Sequence, residues 1–124
     1  MATKFYKCNH CGNVIEKIVD SKVPVFCCGE KMEELIPNTV EASGEKHIPV
    51  VTRLEDNIIK IEVGSVHHPM LPEHHIAFIY VETEHGGIRI DLKDQPVAVV
   101  HLGEEKAVAV YEYCNLHGPS KVQL

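Results

Sequence analysis

"IAFIYVETEHGGIRIDL", residues 76–92, decides the fold. Two extended pieces, "IAFIYVET" and "GIRIDL", flank "EHGG", a strong hairpin signal. In the second piece Ile88, Ile90 and Leu92 alternate with Arg89 and Asp91, the period of a half-buried strand. Working outward, "HIPVVTRL" (47–54) and "NIIKIEVG" (57–64) flank a turn at "EDN", and "PVAVVHL" (96–102) and "KAVAVYEY" (106–113) flank "GEE". Nowhere does a 3.6-residue apolar period last long enough for a helix. Six or seven short strands with frequent turns indicate an all-β chain built on an antiparallel β-sandwich.

The totals narrow the function. A chain of 124 residues fits one ordinary domain, or a small module joined to a domain of about 90. The net charge of −6, with no Lys/Arg cluster, argues against nucleic acid or an anionic membrane surface as partner. No stretch approaches the ~20 apolar residues that span a bilayer, and "MATKFYKCNH" has no signal-peptide core, so a cytoplasmic location is expected. In a reducing compartment, closely spaced cysteines more often bind metal or do redox chemistry than form disulfides. There are five, an odd number; four lie in the first 28 residues and Cys114 stands alone.

Residues 1–36 differ from the rest. Two short extended pieces, roughly 4–7 and 22–26, each lead into a cysteine pair, and Gly12 and Gly29 follow where a tight turn around a ligand wants them. The piece has too few apolar residues for its own core and needs a staple, for which a metal is the obvious choice. "IPNTVEASGE" then reads as a linker, giving a module over 1–36 and a sandwich domain over 37–124. Cys8-x-x-Cys11, followed after fifteen residues by Cys27-Cys28, supplies four thiolates suited to zinc or iron. Adjacent cysteines can grip one ion only with strained angles. His10, inside the first pair, reads as a solvent-facing loop residue.

"GSVHHPMLPEHHI" holds four histidines in two adjacent pairs. Neighbours on an extended chain point to opposite faces, so His67 and His68 have different jobs, as do His74 and His75. "YCNLHG" adds Cys114 and His117, three apart, and His47 follows the linker. All sit at ends of expected strands, where sandwich loops cluster and sites are built. Several imidazoles with one thiolate match structural zinc poorly and suggest a redox iron.

Taken together, the chain resembles desulfoferrodoxin, the two-iron class of superoxide reductase, over nearly its whole length. "CNHCG" and "CCGE" are similar to that family's desulforedoxin-like module, which holds an Fe(Cys)4 centre. "EKHIPV", "GSVHHPMLPEHH" and "YCNLHG" are similar to its catalytic module, a seven-stranded immunoglobulin-like sandwich. The resemblance implies a first centre on Cys8, Cys11, Cys27 and Cys28, with iron there and zinc as the other ion the thiolates accept. It implies a second iron held by His47, His68, His74 and His117, with Cys114 as axial thiolate and His67 and His75 as bystanders. Pro69 and Pro72 would stiffen the ligand loop. Backbone N–H groups near Leu116 and His117 would tune the sulfur.

The implied activity is one-electron reduction of superoxide to hydrogen peroxide without making dioxygen, a detoxification. Lys46 would attract the anion and orient the water that supplies a proton. Glu45 would swing in as sixth ligand of the ferric resting state. A rubredoxin-like electron donor and a homodimer are further implications. His85 and His101 read as surface or structural residues, and Tyr111 and Tyr113 as packing beside the site. The rival reading is a two-centre electron carrier or redox sensor with the same ligands; a zinc-stapled binding module would be colourless.

Overall fold

In the strand Ile58–Val63 the sequence alternates without interruption: Ile59, Ile61 and Val63 are buried, while Ile58, Lys60 and Glu62 are only half-buried. That is the period-2 pattern of a strand with one face on a core. The structure, a computed structural model, describes residues 3–38, 48–64 and 68–124. It divides into two compact units, Met1–Ile36 and Pro37–Leu124. No helix of the described residues is long and apolar enough to cross a membrane.

The first unit holds five very short strands: β1 (Phe5–Lys7), β2 (Val14–Glu16), β3 (Phe26–Cys27), β4 (Glu30–Lys31) and β5 (Glu33–Leu35). They form a three-stranded sheet in the order β2-β1-β5 and a two-stranded β3-β4 hairpin. Among its described residues only Phe5, Cys8 and Met32 are buried. The loop after β2 is tied by Asp20, whose carboxylate accepts the Lys22 backbone N–H at 2.8 Å and pairs with Lys17 at 3.0 Å and Lys4 at 3.5 Å. These donors hold the Asp20 carboxyl well below its usual range.

Among its described residues the second unit forms a seven-stranded immunoglobulin-like sandwich. Its strands are β6 (Pro49–Arg53), β7 (the strand Ile58–Val63), β8 (Ile76–Thr83), β9 (Gly86–Asp91), β10 (Val97–His101), β11 (Ala107–Cys114) and β12 (Gly118–Gln123). One sheet runs β10-β7-β6 and the other β12-β11-β8-β9. Ile59, Ile61 and Val63 of the first sheet join Ile76, Ile79, Val81, Val110 and Cys114 of the second in one core cluster. Each fully buried aliphatic side chain contributes about 1.5–3 kcal/mol.

Local chemistry explains the turns. Asp56 and Asn57 both have positive φ (58° and 56°), the two-residue turn that matches the twist of β6 and β7. The β8–β9 hairpin forms as expected, but its turn is Glu84–His85, with Thr83 opposite Gly86. Gly87 lies within β9, where any Cβ would collide with the Tyr80 ring laid across it from β8. "GEE" does not close a hairpin: β10 pairs with β7 and β11 with β8 and β12, so the turn passes the chain between sheets. β12, unmarked in the sequence reading, opens with Gly118 and Pro119. Proline is tolerated there because β12 is an edge strand. Asn38 covers that edge, its amide and side chain bonding Pro119 and Lys121 at 2.8–3.1 Å.

Candidate metal centres

The turn between β1 and β2 is a knuckle around a sulfur. Gly12 N–H donates to the Cys8 carbonyl at 2.9 Å, and Cys11 N–H to Cys8 Sγ at 3.4 Å. Gly12 adopts φ 85°, as its place after the pair anticipates. The second pair solves its problem in the backbone. Cys27 ends β3, while Cys28 (φ 54°) and Gly29 (φ 74°) form the two-residue turn to β4. Putting Cys28 in the left-handed region breaks strand alternation, so neighbouring side chains reach one place. The adjacent pair thus places a non-glycine residue at positive φ.

All four Sγ atoms lie within 4.8 Å of one another, with Cys11 and Cys27 Sγ at 3.6 Å. A tetrahedron of 2.3 Å metal–sulfur bonds has edges of about 3.8 Å, so the donor set fits one tetrahedral ion. The Cys11 N–H, with lesser help from His10 and the other thiols, brings the Cys8 thiol down to about 6. Hydrogen bonds to Cys11 and Cys8 push Cys28 up to about 12. One thiolate forms readily and later ones do so against its charge, a penalty that a bound cation removes. Asn13 Nδ2 also donates to Cys27 Sγ, at 3.6 Å.

The second cluster lies at the end of the sandwich where β11 meets β12. His68, His74 and Cys114 bring one donor atom each within 4.8 Å. His117 joins them, its Nδ1 3.8 Å from Cys114 Sγ. The His74 ring stands edge-on to His68 (centroids 4.6 Å apart) and to His117 (5.2 Å). His68 Nδ1 lies 2.7 Å from the Pro69 carbonyl, which fixes the proton on Nδ1 and presents Nε2 as the ligand atom. Cys114 and His68 are buried, whereas His74 and His117 are half-exposed, so the sulfur forms the interior side of the cluster. Burial pushes the Cys114 thiol up, opposed by backbone N–H groups of His117 and Leu116 that donate to the sulfur. Those are the two amides the sequence singles out. The neutral-imidazole and thiolate set suits a soft or borderline transition ion.

Glu45, Lys46, His47 and His67 lie outside the described residues, so the structure places four of the five expected ligands of the second centre. His10 and His101 are exposed. His85 pairs with Glu105 at 3.0 Å. Tyr111 and Tyr113 alternate with Cys114 along β11 and face the other side of the sheet. Tyr113 stacks on Phe78 and Tyr111 meets Tyr80 edge-on, donating to Glu82 at 3.1 Å.

Two residues near the cluster, Asn115 and Glu112, escaped the sequence reading, and a third has a contact that it did not foresee. His75, expected as a bystander, holds the ligand loop with Nδ1 2.9 Å from the Leu71 carbonyl. Asn115 bonds that loop from the other side. Glu112 is wholly buried on the Cys114 face of β11, opposite Ser120, and burial pushes its carboxyl up to about 8 against the Ser120 hydrogen bonds. Strand alternation could have found it, because a residue two before an inward Cys114 must also point inward.

Two all-β units, one carrying four converging thiols and the other a sandwich carrying a thiol among imidazoles, define a protein with two distinct soft-ligand metal centres. Residues 39–122 match the family model described as desulfoferrodoxin. A desulfoferrodoxin from Syntrophotalea carbinolica is 42% identical over 115 residues, covering 91% of this chain and 90% of that one. Another, from Nitratidesulfovibrio vulgaris, is 38% identical over 122 residues, covering 97% and 95%. The crystal structure of the superoxide reductase from Treponema pallidum superposes with a TM-score of 0.83 at 28% identity, covering 98% of each chain. The chain belongs to the desulfoferrodoxin family.

Proposed function

We propose that this oxidoreductase is a superoxide reductase that takes superoxide, one electron and two protons to hydrogen peroxide without releasing dioxygen. The observation that carries this reading is the convergence of His68, His74 and His117 on the buried Cys114 sulfur at the end of the sandwich. His47 completes the ligand set in this reading, and the domains are a four-thiolate module (1–36) and a catalytic domain (37–124). Iron would occupy both centres; held by Cys114 and the imidazoles, a ferrous ion would supply the single electron.

The chain's own groups do the rest. Cys114 donates electron density, and the Leu116 and His117 amides moderate that donation by sharing the sulfur lone pairs. The Pro69 carbonyl fixes the tautomer of His68. Lys46 supplies a local positive field for the anion. It is needed because residues 1–36 hold five lysines and five acids, so the whole net charge of −6 falls on 37–124. Glu45 closes the site in the oxidised resting state. Electrons come from a rubredoxin-like donor in the cytoplasm. Two copies associate through the exposed Ile18, Val19, Val23 and Phe26 of the first unit.

The test is stoichiometric. Anaerobic, fully reduced protein is mixed with a known dose of superoxide, and peroxide and dioxygen are counted. One peroxide per superoxide with no dioxygen is expected. Half a peroxide and half a dioxygen would mean dismutation, and no reaction would leave an electron carrier or sensor.

A further inference from the structure

Asn115 stands between Cys114 and His117 in the connection from β11 to β12, and it does not ligate. Its hydrogen bonds leave the connection and bracket His74. Asn115 Nδ2 donates to the Glu73 carbonyl at 3.1 Å, and the His75 backbone N–H donates to Asn115 Oδ1 at 2.8 Å. Its backbone N–H donates to the His75 carbonyl at 3.1 Å. The residues before and after His74 are therefore both fixed to the residue after Cys114, across about forty positions of sequence.

On the other side, His74 is held by its own turn. Leu71 N–H donates to the His74 carbonyl at 2.9 Å, and His74 N–H to the Leu71 carbonyl at 3.1 Å. The His74 backbone is thus fixed by Leu71 and flanked by two bonds to one amide side chain. An amide alone fits this slot, since it must accept from an N–H and donate to a carbonyl at once. A carboxylate supplies only acceptors, and a longer side chain misplaces both atoms.

Building on the ligand set of the proposed function, we propose that Asn115 is a positioning residue for the second centre. It sets the distance of the His74 imidazole from the Cys114 sulfur and the His117 ring before any metal arrives. Without it, His74 rides on a loop held through the Leu71 turn and the backbone bond, and metal binding must complete its ordering. Outer groups that orient ligands in this way are typically worth about 10- to 100-fold in metal affinity.

The probe is Co²⁺ alone, added anaerobically to the full chain preloaded with one equivalent of zinc. Zinc fills the four-thiolate site and is spectroscopically silent. Wild-type protein is expected to show a sulfur-to-cobalt charge-transfer band with ligand-field bands of a site rich in imidazole. Asn115→Ala should bind Co²⁺ about 10- to 100-fold more weakly. It should keep the sulfur band and change the ligand-field pattern as His74 is lost. Asn115→Asp, which keeps the bond from His75 and loses the one to Glu73, should fall between. In Asn115→Ala amide exchange should quicken at His75 and remain slow along β8 and β11. Wild-type affinity and ligand-field bands in Asn115→Ala would overturn the role of Asn115 alone. If that variant loosens the whole sandwich, Asn115→Asp decides by the same criterion. A wild-type chain with no sulfur band would overturn the centre itself, and this role with it.

Discussion

The two units reach a metal site from opposite directions. In the first, three buried residues among those described stand behind a sheet of three-residue strands, and Cys8 is itself one of them. Such a unit cannot bury enough apolar surface to offset chain entropy, so its four thiolates and their ion make the fold. In the second, a core from both sheets exists independently of any ligand, and the cluster is a guest at the end of β11. There the fold makes the site. This difference places the strain as well: the first unit holds Cys28 at φ 54°, while the second positions its ligands through side-chain and backbone hydrogen bonds.

The contrast breaks most visibly on removing the first ion. With Cys8→Ser and Cys28→Ser together, residues 3–36 should lose dispersed amide signals while the sandwich keeps its own. The loss is on the scale of structural zinc binding, about 10–16 kcal/mol. A first unit that stays folded without metal would end the comparison. Next is Cys114→Ala, which should abolish metal at the second centre yet cost the sandwich only about 1–2 kcal/mol in a denaturant titration. Global unfolding of that variant would mean that this metal, too, makes its fold.

The comparison also explains what the sequence could disclose. Alternation in "GIRIDL" exposed the sandwich because a preformed core imposes period 2 on whatever faces it. β2 and β5 stayed hidden because three residues hold no period, and β12 because its leading Gly118-Pro119 reads as a turn. The hairpin glycines were a correct signal with another cause, since Gly87 makes room for Tyr80. Ligand types at close spacing were legible: both cysteine pairs, and the Cys114–His117 pair. Asn115 was not, because reading for chemistry looks for ligating side chains, and its partners lie about forty residues away. Glu112 was hidden by its type, as an acid in a strand is ordinarily turned to solvent.

Two smaller effects sharpen the account within the second unit. Lys46→Ala should slow the second-order reaction with superoxide several-fold, up to about tenfold, and flatten its salt dependence. An unchanged rate would remove Lys46 from the mechanism. The smallest effect belongs to His85 and Glu105, which tie the β8–β9 turn to the β10–β11 connection. The Glu105 hydrogen bond and charge raise the His85 pKa, and hydrogen bonds from Thr83 and His85 lower that of Glu105. The raised His85 contributes stability below its unfolded value, lost as pH rises through its folded one. The lowered Glu105 contributes above its unfolded value, lost as pH falls through its folded one. The pair therefore supports the fold most between about 4.5 and 6.5. In Glu105→Gln an NMR titration should find His85 back at an ordinary value, with almost no change in unfolding temperature.

The most direct test of the division of labour is rapid anaerobic mixing of superoxide with reduced, iron-loaded protein. The two centres are followed by their separate visible bands, in wild type and in the Cys8→Ser, Cys28→Ser chain. The account expects the Cys114 iron to be oxidised first in wild type and alone in the variant, at the same second-order rate, with one peroxide formed per Cys114 iron. Oxidation beginning at the four-thiolate centre, or loss of the fast phase when that centre is removed, would contradict it.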